Sequence, residues 1–180
     1  MPFVKELGFQ MTTSFDIAKL NFVGLVLVQV EILNSIFAEV GAAGIFENPD
    51  ITFDPHWCNE WYLKFHLSRP DTNSVSLDFH LMADGLRIDF ESYPEAHEYS
   101  EKHIKECQDE IKNTLFRLLT GFILVEYKGN AQFVNLFNDD GSQYGIWSLG
   151  SFCTLVTHGY WKSQSIDQHL FEPIYSRSNS

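Results

Sequence analysis

Three segments between residues 61 and 90 alternate apolar and polar side chains with a period of two. The apolar positions of the first two segments are Trp61, Leu63, Phe65 and Leu67, and then Val75, Leu77, Phe79 and Leu81. Successive side chains of a β-strand point to opposite faces of its sheet, so this period predicts half-buried strands. A sheet with one apolar face requires a second layer over that face, which the rest of the chain must supply.

The dipeptide Asp84-Gly85 separates the second and third of these segments and predicts a type I′ turn, in which both central residues have φ > 0. A hairpin closed at this turn places apolar residues opposite one another and polar residues opposite one another. The predicted pairs are Leu81 with Ile88, Phe79 with Phe90, His80 with Asp89 and Asp78 with Glu91. The predicted sheet therefore has one apolar side and one polar side.

A first helix is predicted at Thr13–Val40. It begins with residues that commonly cap helices and ends before Gly41, a residue typical of helix C-termini. Its second half has apolar residues at helical spacing. Within it, Phe22–Val30 is apolar on every side, a pattern that also permits a buried strand. We interpret the segment as a mostly buried helix.

A second, longer helix is predicted at about residues 94–120. The tetrapeptide Ser92-Tyr93-Pro94-Glu95 combines a capping box with proline at the first helical position, and Gly121 follows the last periodic residue. The predicted apolar stripe consists of Ile104, Cys107, Ile111, Leu115 and Leu118. Burial of this stripe would stabilise the helix more than its surface ion pairs do.

A second meander is predicted after this helix. Gly129-Asn130 would close one hairpin and Asp139-Asp140-Gly141 the next, with Gly141 as a bulge residue. The predicted pairs are Val125 with Val134 and Ile123 with Leu136, and then Leu136 with Tyr144, Val134 with Ile146 and Phe133 with Trp147. A fourth strand is expected at Cys153–His158 and a short helix at Ile166–Phe171.

These elements predict an α+β fold with two antiparallel β-meanders, an N-terminal buried helix and a long amphipathic helix, about 94–120, packed on the sheet. At 180 residues the chain has the length of a single domain, which we expect to span residues 1–180 with a frayed end at 176–180.

The charge of the chain disfavours some classes of partner. Acidic side chains number 24 and basic ones 12, which gives a formal net charge of -12 and repels phosphate backbones and anionic lipid headgroups. We therefore expect neither direct nucleic-acid binding nor membrane binding. The stretch between Lys19 and Lys64 contains six acids and neither Lys nor Arg, so a basic protein is the complementary partner.

Cysteine usage and the N-terminal sequence predict a cytoplasmic protein. Cys58, Cys107 and Cys153 are odd in number and widely spaced, which fits reduced thiols better than disulfides or a zinc knuckle. The first residues lack the basic and apolar regions of a secretory signal. The longest apolar run is too short to span a bilayer.

No phosphate-binding, nucleophile-elbow or zinc-protease motif occurs in the sequence. Four residues of the predicted polar face, His66, Asp78, His80 and Asp89, form the best scattered constellation. Two imidazoles and two carboxylates are able to bind a divalent metal or to transfer protons. A solvated strand face has the same composition, and we favour that interpretation.

Three further groups have simpler structural explanations. His103 and Cys107 share a helix face at a spacing that suits two zinc ligands, but the sequence offers no obvious third and fourth ligand. Cys153 and His158 have no sequence context that would activate a thiolate. The four tryptophans suit sheet packing as well as a ligand cage. We therefore expect no catalytic residue, no metal and no cofactor.

The predicted function is that of an acidic cytosolic inhibitor or immunity-type protein that neutralises a basic partner such as a toxin. Its predicted partner-binding residues are Glu47, Asp50, Asp54, Trp57 and Glu60. One alternative is a small hydrolase or metal-dependent enzyme that uses the His66, Asp78, His80 and Asp89 face. Another is a small-ligand-binding domain with an aromatic pocket. The sequence does not indicate the oligomeric state.

Overall fold

The computed structural model describes residues 21–42, 50–69, 72–90, 96–128, 131–138, 140–149 and 167–175. Helices and two antiparallel sheets make up these ranges, and the predicted α+β class is confirmed. None of the helices in the described ranges is long and apolar enough to cross a bilayer. The expected fraying at 176–180 lies outside these ranges.

The first sheet has five strands in sequential order. They are β1 (Asp50–Asn59), β2 (Tyr62–Ser68), β3 (Leu77–Met82), β4 (Gly85–Phe90) and β5 (Ala96–Ser100). Burial alternates along β2 and β3, as their sequence period predicts. Phe65 and Phe79 stack across this apolar face with ring centroids 4.9 Å apart. Trp61 lies in the turn before β2 and is exposed, whereas the alternation placed it on the apolar face.

The predicted register between β3 and β4 is wrong by two residues. Phe79 pairs with Ile88, and Leu77 pairs with Phe90. A shift of two residues keeps every side chain on its predicted face, so Phe79 and Phe90 are both buried on the apolar side.

Gly85 causes this shift because it belongs to β4 and not to the turn. It pairs with Ser100 of β5, and a Cβ atom at position 85 would lie 2.6 Å from the carbonyl oxygen of Tyr99. No non-glycine residue in the described ranges has positive φ, so Asp84 does not adopt the type I′ conformation. The glycine thus permits close approach of two strands, and the turn lies at Ala83 and Asp84.

The predicted helix at about 94–120 is shorter than expected and contains a break. Residues 96–100 form β5, and the helical part divides into α2 (Glu101–Glu106) and α3 (Gln108–Thr120), while residues 91–95 lie outside the description. Backbone pairing with β4 outweighs the helical signal before Ser100. The Ser100 hydroxyl then caps α2, accepting a hydrogen bond from the His103 N–H at 3.3 Å.

The N-terminal helix, α1 (Gly24–Ala42), begins after the predicted Thr13, since residues 21–23 are not helical, and residues 13–20 lie outside the description. Its predicted end at Val40 is also wrong, because the helix continues through Gly41 to Ala42. From Gly24 onward the ambiguous apolar run is helical. The N–H of Val23 donates to the carbonyl of Glu60, which fixes the start of α1 beside the β1–β2 turn. Contacts with α3 and β3 bury most of its apolar residues, and Gln29 Nε2 donates to the Met82 carbonyl at 2.8 Å.

The second sheet has the strand order β8-β7-β6-β9. Its strands are β6 (Ile123–Lys128), β7 (Ala131–Phe137), β8 (Gln143–Leu149) and β9 (Asp167–Phe171). The predicted pairs between β6 and β7 are confirmed, although residues 129 and 130 lie outside the description. The predicted helix at Ile166–Phe171 is wrong, because residues 167–171 pair with the edge of β6. The strand expected at Cys153–His158 falls outside the described residues.

The predicted register between β7 and β8 holds where Phe137 pairs with Gln143, and beyond that pair it is shifted by one residue. Tyr144 is an extra residue in β8, so Leu136 pairs with Gly145 and Val134 pairs with Trp147. A slip of one residue exchanges the two faces of a strand. Trp147 is therefore only 8% exposed, whereas Tyr144 and Ile146 face solvent.

Trp147 joins the two sheets. Its indole stacks on the His97 ring of β5 with centroids 3.9 Å apart, and Phe90 contacts it edge-on at 6.1 Å. Burial lowers the pKa of His97 to about 4, and the neighbouring His103 shifts it in the same direction.

The close approach at Gly85 predicts that Gly85→Ala destabilises the protein by about 1–3 kcal/mol, because its methyl group meets backbone that cannot rotate away. Gly145→Ala is the matched control, since a Cβ there has no neighbour within 4 Å. Urea unfolding of both variants measures the difference. Equal unfolding midpoints would show that β5 does not approach β4 as described.

The low pKa of His97 predicts a loss of stability in acid. Between pH 6.5 and about 4 the unfolded chain binds a proton at this residue that the folded chain does not, so the free energy of unfolding falls as the pH falls. His97→Phe keeps an aromatic ring against Trp147 and removes the titration. Urea unfolding across this range should show a shallower decline for the variant, with a constant offset above pH 7.5. Parallel curves down to pH 4 would contradict the prediction.

Candidate functional site

The outer face of the first sheet is polar because apolar and polar residues alternate along each strand, and the polar residues of neighbouring strands lie on the same side. Residues on the solvent side come from four neighbouring strands, β2 to β5. They are Tyr62, Lys64 and His66 of β2, Asp78 and His80 of β3, Arg87 and Asp89 of β4, and Glu98 of β5. We call this set the polar face. It contains all four residues of the predicted His/Asp constellation, which the structure does bring together.

One half of the polar face is centred on Asp78. His66 lies directly opposite Asp78 in the sheet, and its Nδ1 atom is 2.8 Å from Asp78 Oδ1. Lys64 Nζ lies 3.8 Å from the other carboxylate oxygen. The Asp78 carboxylate therefore has a cationic neighbour already in place.

The other half is a chain of contacts through His80. The Tyr62 hydroxyl lies 2.6 Å from His80 Nδ1, and His80 Nε2 lies 3.0 Å from Asp89 Oδ2. The second contact has ion-pair distance without the angle of a hydrogen bond. Arg87 Nε donates to Asp89 Oδ1 at 2.7 Å.

The register explains this arrangement and corrects a predicted pair. His80 lies opposite Arg87, and Asp89 lies opposite Asp78, so the expected His80–Asp89 pair is not a direct cross-strand pair. The two side chains meet diagonally instead, which side chains of this length can do.

Burial decides the protonation of this chain. It lowers the pKa of His80 although the Asp89 carboxylate opposes the shift, and it raises the pKa of Tyr62 together with the same carboxylate. His80 is thus neutral near pH 7 and Tyr62 is a protonated phenol. Because Nε2 faces a carboxylate, we assign the ring proton to Nε2 and the acceptor role to Nδ1, which receives the Tyr62 O–H.

A bulge in β1 shapes the end of the polar face. The register against β2 shifts between Phe53 and Cys58, so residues 54–57 lie opposite a single residue of β2. Proline at position 55 has no N–H to donate, which suits a bulge, and the Asp54 carboxylate accepts a hydrogen bond from the His56 N–H. Trp57 lies in this bulge and is 54% exposed.

The predicted partner-binding residues that the structure describes are distributed along β1 and the turn after it. Asp50 and Glu60 are exposed and Asp54 is half-buried, whereas Glu47 lies outside the described residues. Trp57 packs on the Tyr62 ring with centroids 5.5 Å apart, and Trp61 in the adjacent turn is 58% exposed. We call the four described members of the predicted set, Asp50, Asp54, Trp57 and Glu60, together with Trp61, which was not predicted, the bulge surface.

A shallow depression of about 300 Å³ joins the bulge surface to the polar face. Its lining includes Asp54 from β1, Lys64 and His66 from β2, and Asp78 from β3. The sequence analysis treated the acids of the bulge and the His/Asp constellation as separate candidates. The structure places them on one continuous surface.

Some residues of the polar face and of a side-chain cluster on α2 and α3 were not singled out from the sequence. Tyr62 and Arg87 occupy solvent-side positions of their strands, so the same alternation could have identified them. Glu110 was missed as a companion of His103 and Cys107, and their donor atoms all lie within 4.8 Å of one another. Its position seven residues after His103 was the available signal.

The remaining sequence candidates do not join these sites. Trp147 is a core residue, so it does not form a cage with the exposed indoles of the bulge surface. Cys153, His158 and Trp161 lie outside the described residues. Comparisons with protein families, curated proteins and solved structures found no significant match. The function is therefore inferred from geometry and charge.

The contacts of His80 predict opposite effects of two substitutions on its pKa. Tyr62→Phe removes a donor that stabilises the neutral ring and should raise the pKa, whereas Asp89→Asn removes a charge that stabilises the protonated ring and should lower it. NMR titration of the His80 ring signals, assigned with a His80→Gln variant, measures both shifts. Shifts in the same direction would contradict the assigned proton positions.

Proposed function

We propose that the chain is an acidic cytosolic binding protein, and that its bulge surface holds a basic protein partner as an inhibitor or immunity protein holds a toxin. The observation that carries the proposal is the exposure of two indoles, Trp57 and Trp61, on the same segment as the acids Asp54 and Glu60, while Asp50 is exposed at the other end of β1, opposite Ser68. Tryptophan is enriched among the residues that dominate binding energy at protein interfaces.

The indoles supply an apolar anchor. Covering the exposed half of one tryptophan removes on the order of 125 Å² from water, which corresponds to roughly 3 kcal/mol before the losses of entropy on association. Trp57 is held against Tyr62, so little side-chain freedom remains to be lost on binding. A rigid, exposed aromatic ring is a suitable centre for an interface.

The acids supply attraction at longer range. The chain has a formal net charge of -12, and the described acids of the bulge surface make no ion pair with a basic side chain among those found in the described ranges. Rim acids of this kind accelerate encounter with a basic protein and affect dissociation less. The free thiols of Cys58 and Cys107 support a reducing compartment such as the cytosol.

The polar face supports a second candidate, the hydrolase or metal-dependent enzyme that uses His66, Asp78, His80 and Asp89. The specific observation is the chain from Tyr62 through His80 to Asp89, in which a neutral imidazole is able to accept a proton. Two features count against it. The raised pKa of Tyr62 makes the phenol a poor nucleophile, and Lys64 and Arg87 occupy space beside the carboxylates that a metal ion would need.

The third candidate, a small-ligand site with an aromatic pocket, has weaker support. Within the described ranges, Trp147 is packed in the core and the other two indoles face solvent. The depression beside Lys64 and His66 is open, and the nearby Phe53 and Phe65 rings are buried on the other face of the sheet. A wide protein surface fits this shape better than a small molecule does.

The proposal predicts that charge reversal at the bulge surface abolishes capture of the partner. The variant D50K/D54K/E60K should lose proteins that the wild-type chain captures at low salt, as measured by quantitative mass spectrometry. A matched control, E106K/D109K/E172K, makes the same change in net charge at exposed acids of α2, α3 and the residue after β9, and it should retain them. If both variants lost the captured proteins equally, net charge alone would explain the loss, and the proposal would be contradicted.

Once the partner has been identified, the contribution of Trp57 to binding can be measured. With purified partner, the charge variant should associate more slowly and lose salt sensitivity, whereas Trp57→Ala should dissociate about 10-fold faster or more. Stopped-flow or surface-plasmon kinetics separates the two rates. A His80→Gln variant that abolishes binding while Trp57→Ala leaves it intact would transfer the site to the polar face.

A further inference from the structure

Three metal-binding side chains converge on one face of the α2–α3 helix. They are His103, Cys107 and Glu110, and one donor atom from each lies within 4.8 Å of the others. This cluster lies on a different element from the bulge surface and the polar face. Nothing in the proposed function uses it.

The helix geometry explains how the cluster forms. Backbone hydrogen bonds continue through the break, from the Cys107 N–H to the His103 carbonyl and from the Ile111 N–H to the Cys107 carbonyl. Positions i, i+4 and i+7 therefore share one face although Cys107 itself has φ of -129°. The cysteine, with the shortest side chain of the three, stands between the other two.

The two long side chains reach toward each other over Cys107. Seven residues of α-helix rise roughly 10.5 Å along the axis. His103 Nε2 and Glu110 Oε1 are nevertheless only 3.8 Å apart. Side chains on helices lean toward the N-terminus, which directs Glu110 back over Cys107 toward His103.

We propose that His103 Nε2, the Cys107 thiolate and the Glu110 carboxylate bind one zinc ion. Thiolate, imidazole and carboxylate are the three protein ligand types of zinc, and three of them leave a fourth tetrahedral position for water. Tetrahedral zinc places its donor atoms roughly 3.4–3.6 Å apart. The donors need to close by about 1 Å, and the His103 and Glu110 side chains, 39% and 66% exposed, have room to do so.

The surroundings favour this position over the other histidines. The Tyr99 ring packs edge-on against His103 with ring centroids 5.3 Å apart, and this contact limits the rotation of the imidazole. On the polar face, by contrast, Lys64 approaches Asp78 and Arg87 binds Asp89, so two cations already lie beside the carboxylates near His66 and His80. The sequence-based expectation of no metal site assumed an incomplete ligand set, and Glu110 supplies its third member.

Cobalt substitution of the full chain, without a polyhistidine tag and with a phosphine reductant, tests the site. Co²⁺ should bind at one equivalent and produce the near-ultraviolet charge-transfer absorption of a cobalt-thiolate bond. Zn²⁺ should abolish that absorption, because zinc binds such sites more tightly than cobalt. Cys107→Ser should remove the absorption, while Cys58→Ser and Cys153→Ser, the matched cysteine controls, should keep it.

Zinc affinity, measured by competition with a chromophoric chelator, separates the ligands. His103→Gln and Glu110→Gln should each weaken binding at least 10-fold, since even residues behind a ligand commonly contribute 10-fold to 100-fold. His66→Gln and His80→Gln should leave the affinity unchanged. Circular dichroism confirms that each variant is folded.

Three results would overturn the proposal. One is the lack of a cobalt-thiolate band in the folded, reduced wild-type chain. Another is a band that survives Cys107→Ser. The third is a zinc affinity that falls with His66→Gln or His80→Gln and not with the His103 and Glu110 variants.

Discussion

The apolar face of the first sheet has to be buried, and this requirement decides where the functional groups lie. Leu63, Phe65 and Leu67 of β2 are fully buried, so Tyr62, Lys64 and His66 must face the other side. The same constraint acts on β3 and β4. The polar face is therefore a consequence of core packing, and its contacts persist only while the strands keep their phase.

Because the polar face depends on strand alternation, part of the candidate site could be predicted from the sequence. The register between β3 and β4 differs from the prediction by two residues, because Gly85 allows β5 to approach. An even slip preserves both faces, so His66 still contacts Asp78 and His80 still contacts Asp89, although the latter two meet diagonally and not directly across the strands. The alternation of apolar and polar residues was sufficient to identify the residues of the polar face. The Asp84-Gly85 dipeptide was not sufficient to predict which of them contact each other.

An odd slip has the opposite consequence. In β8 the bulge at Tyr144 moves Trp147 into the core and Ile146 to the surface, which reverses the predicted arrangement. The prediction placed the bulge at Gly141, whereas Gly145, directly after Tyr144, was the local signal, because glycine inside a strand often marks a bulge. The start of the second helix was mispredicted for another reason. Residues 96–100 pair with the edge of β4, so the helix begins only after Ser100. Such tertiary effects override local propensity.

The carboxylates of the polar face already have cationic neighbours, and the described acids of the bulge surface have none among the ion pairs found in the described ranges. This difference argues for separate roles. On the polar face the carboxylates of Asp78 and Asp89 already contact Lys64 and Arg87. Covering those pairs with a partner would remove their solvation and return little new attraction. Asp54 and Glu60 of the bulge surface lie on the same segment as the exposed indoles, so a basic partner would gain both an ion pair at the rim and apolar burial at the centre. A partner centred on Trp57 would extend over the depression at Asp54 and leave His103, Cys107 and Glu110 on their own helix accessible to a metal ion.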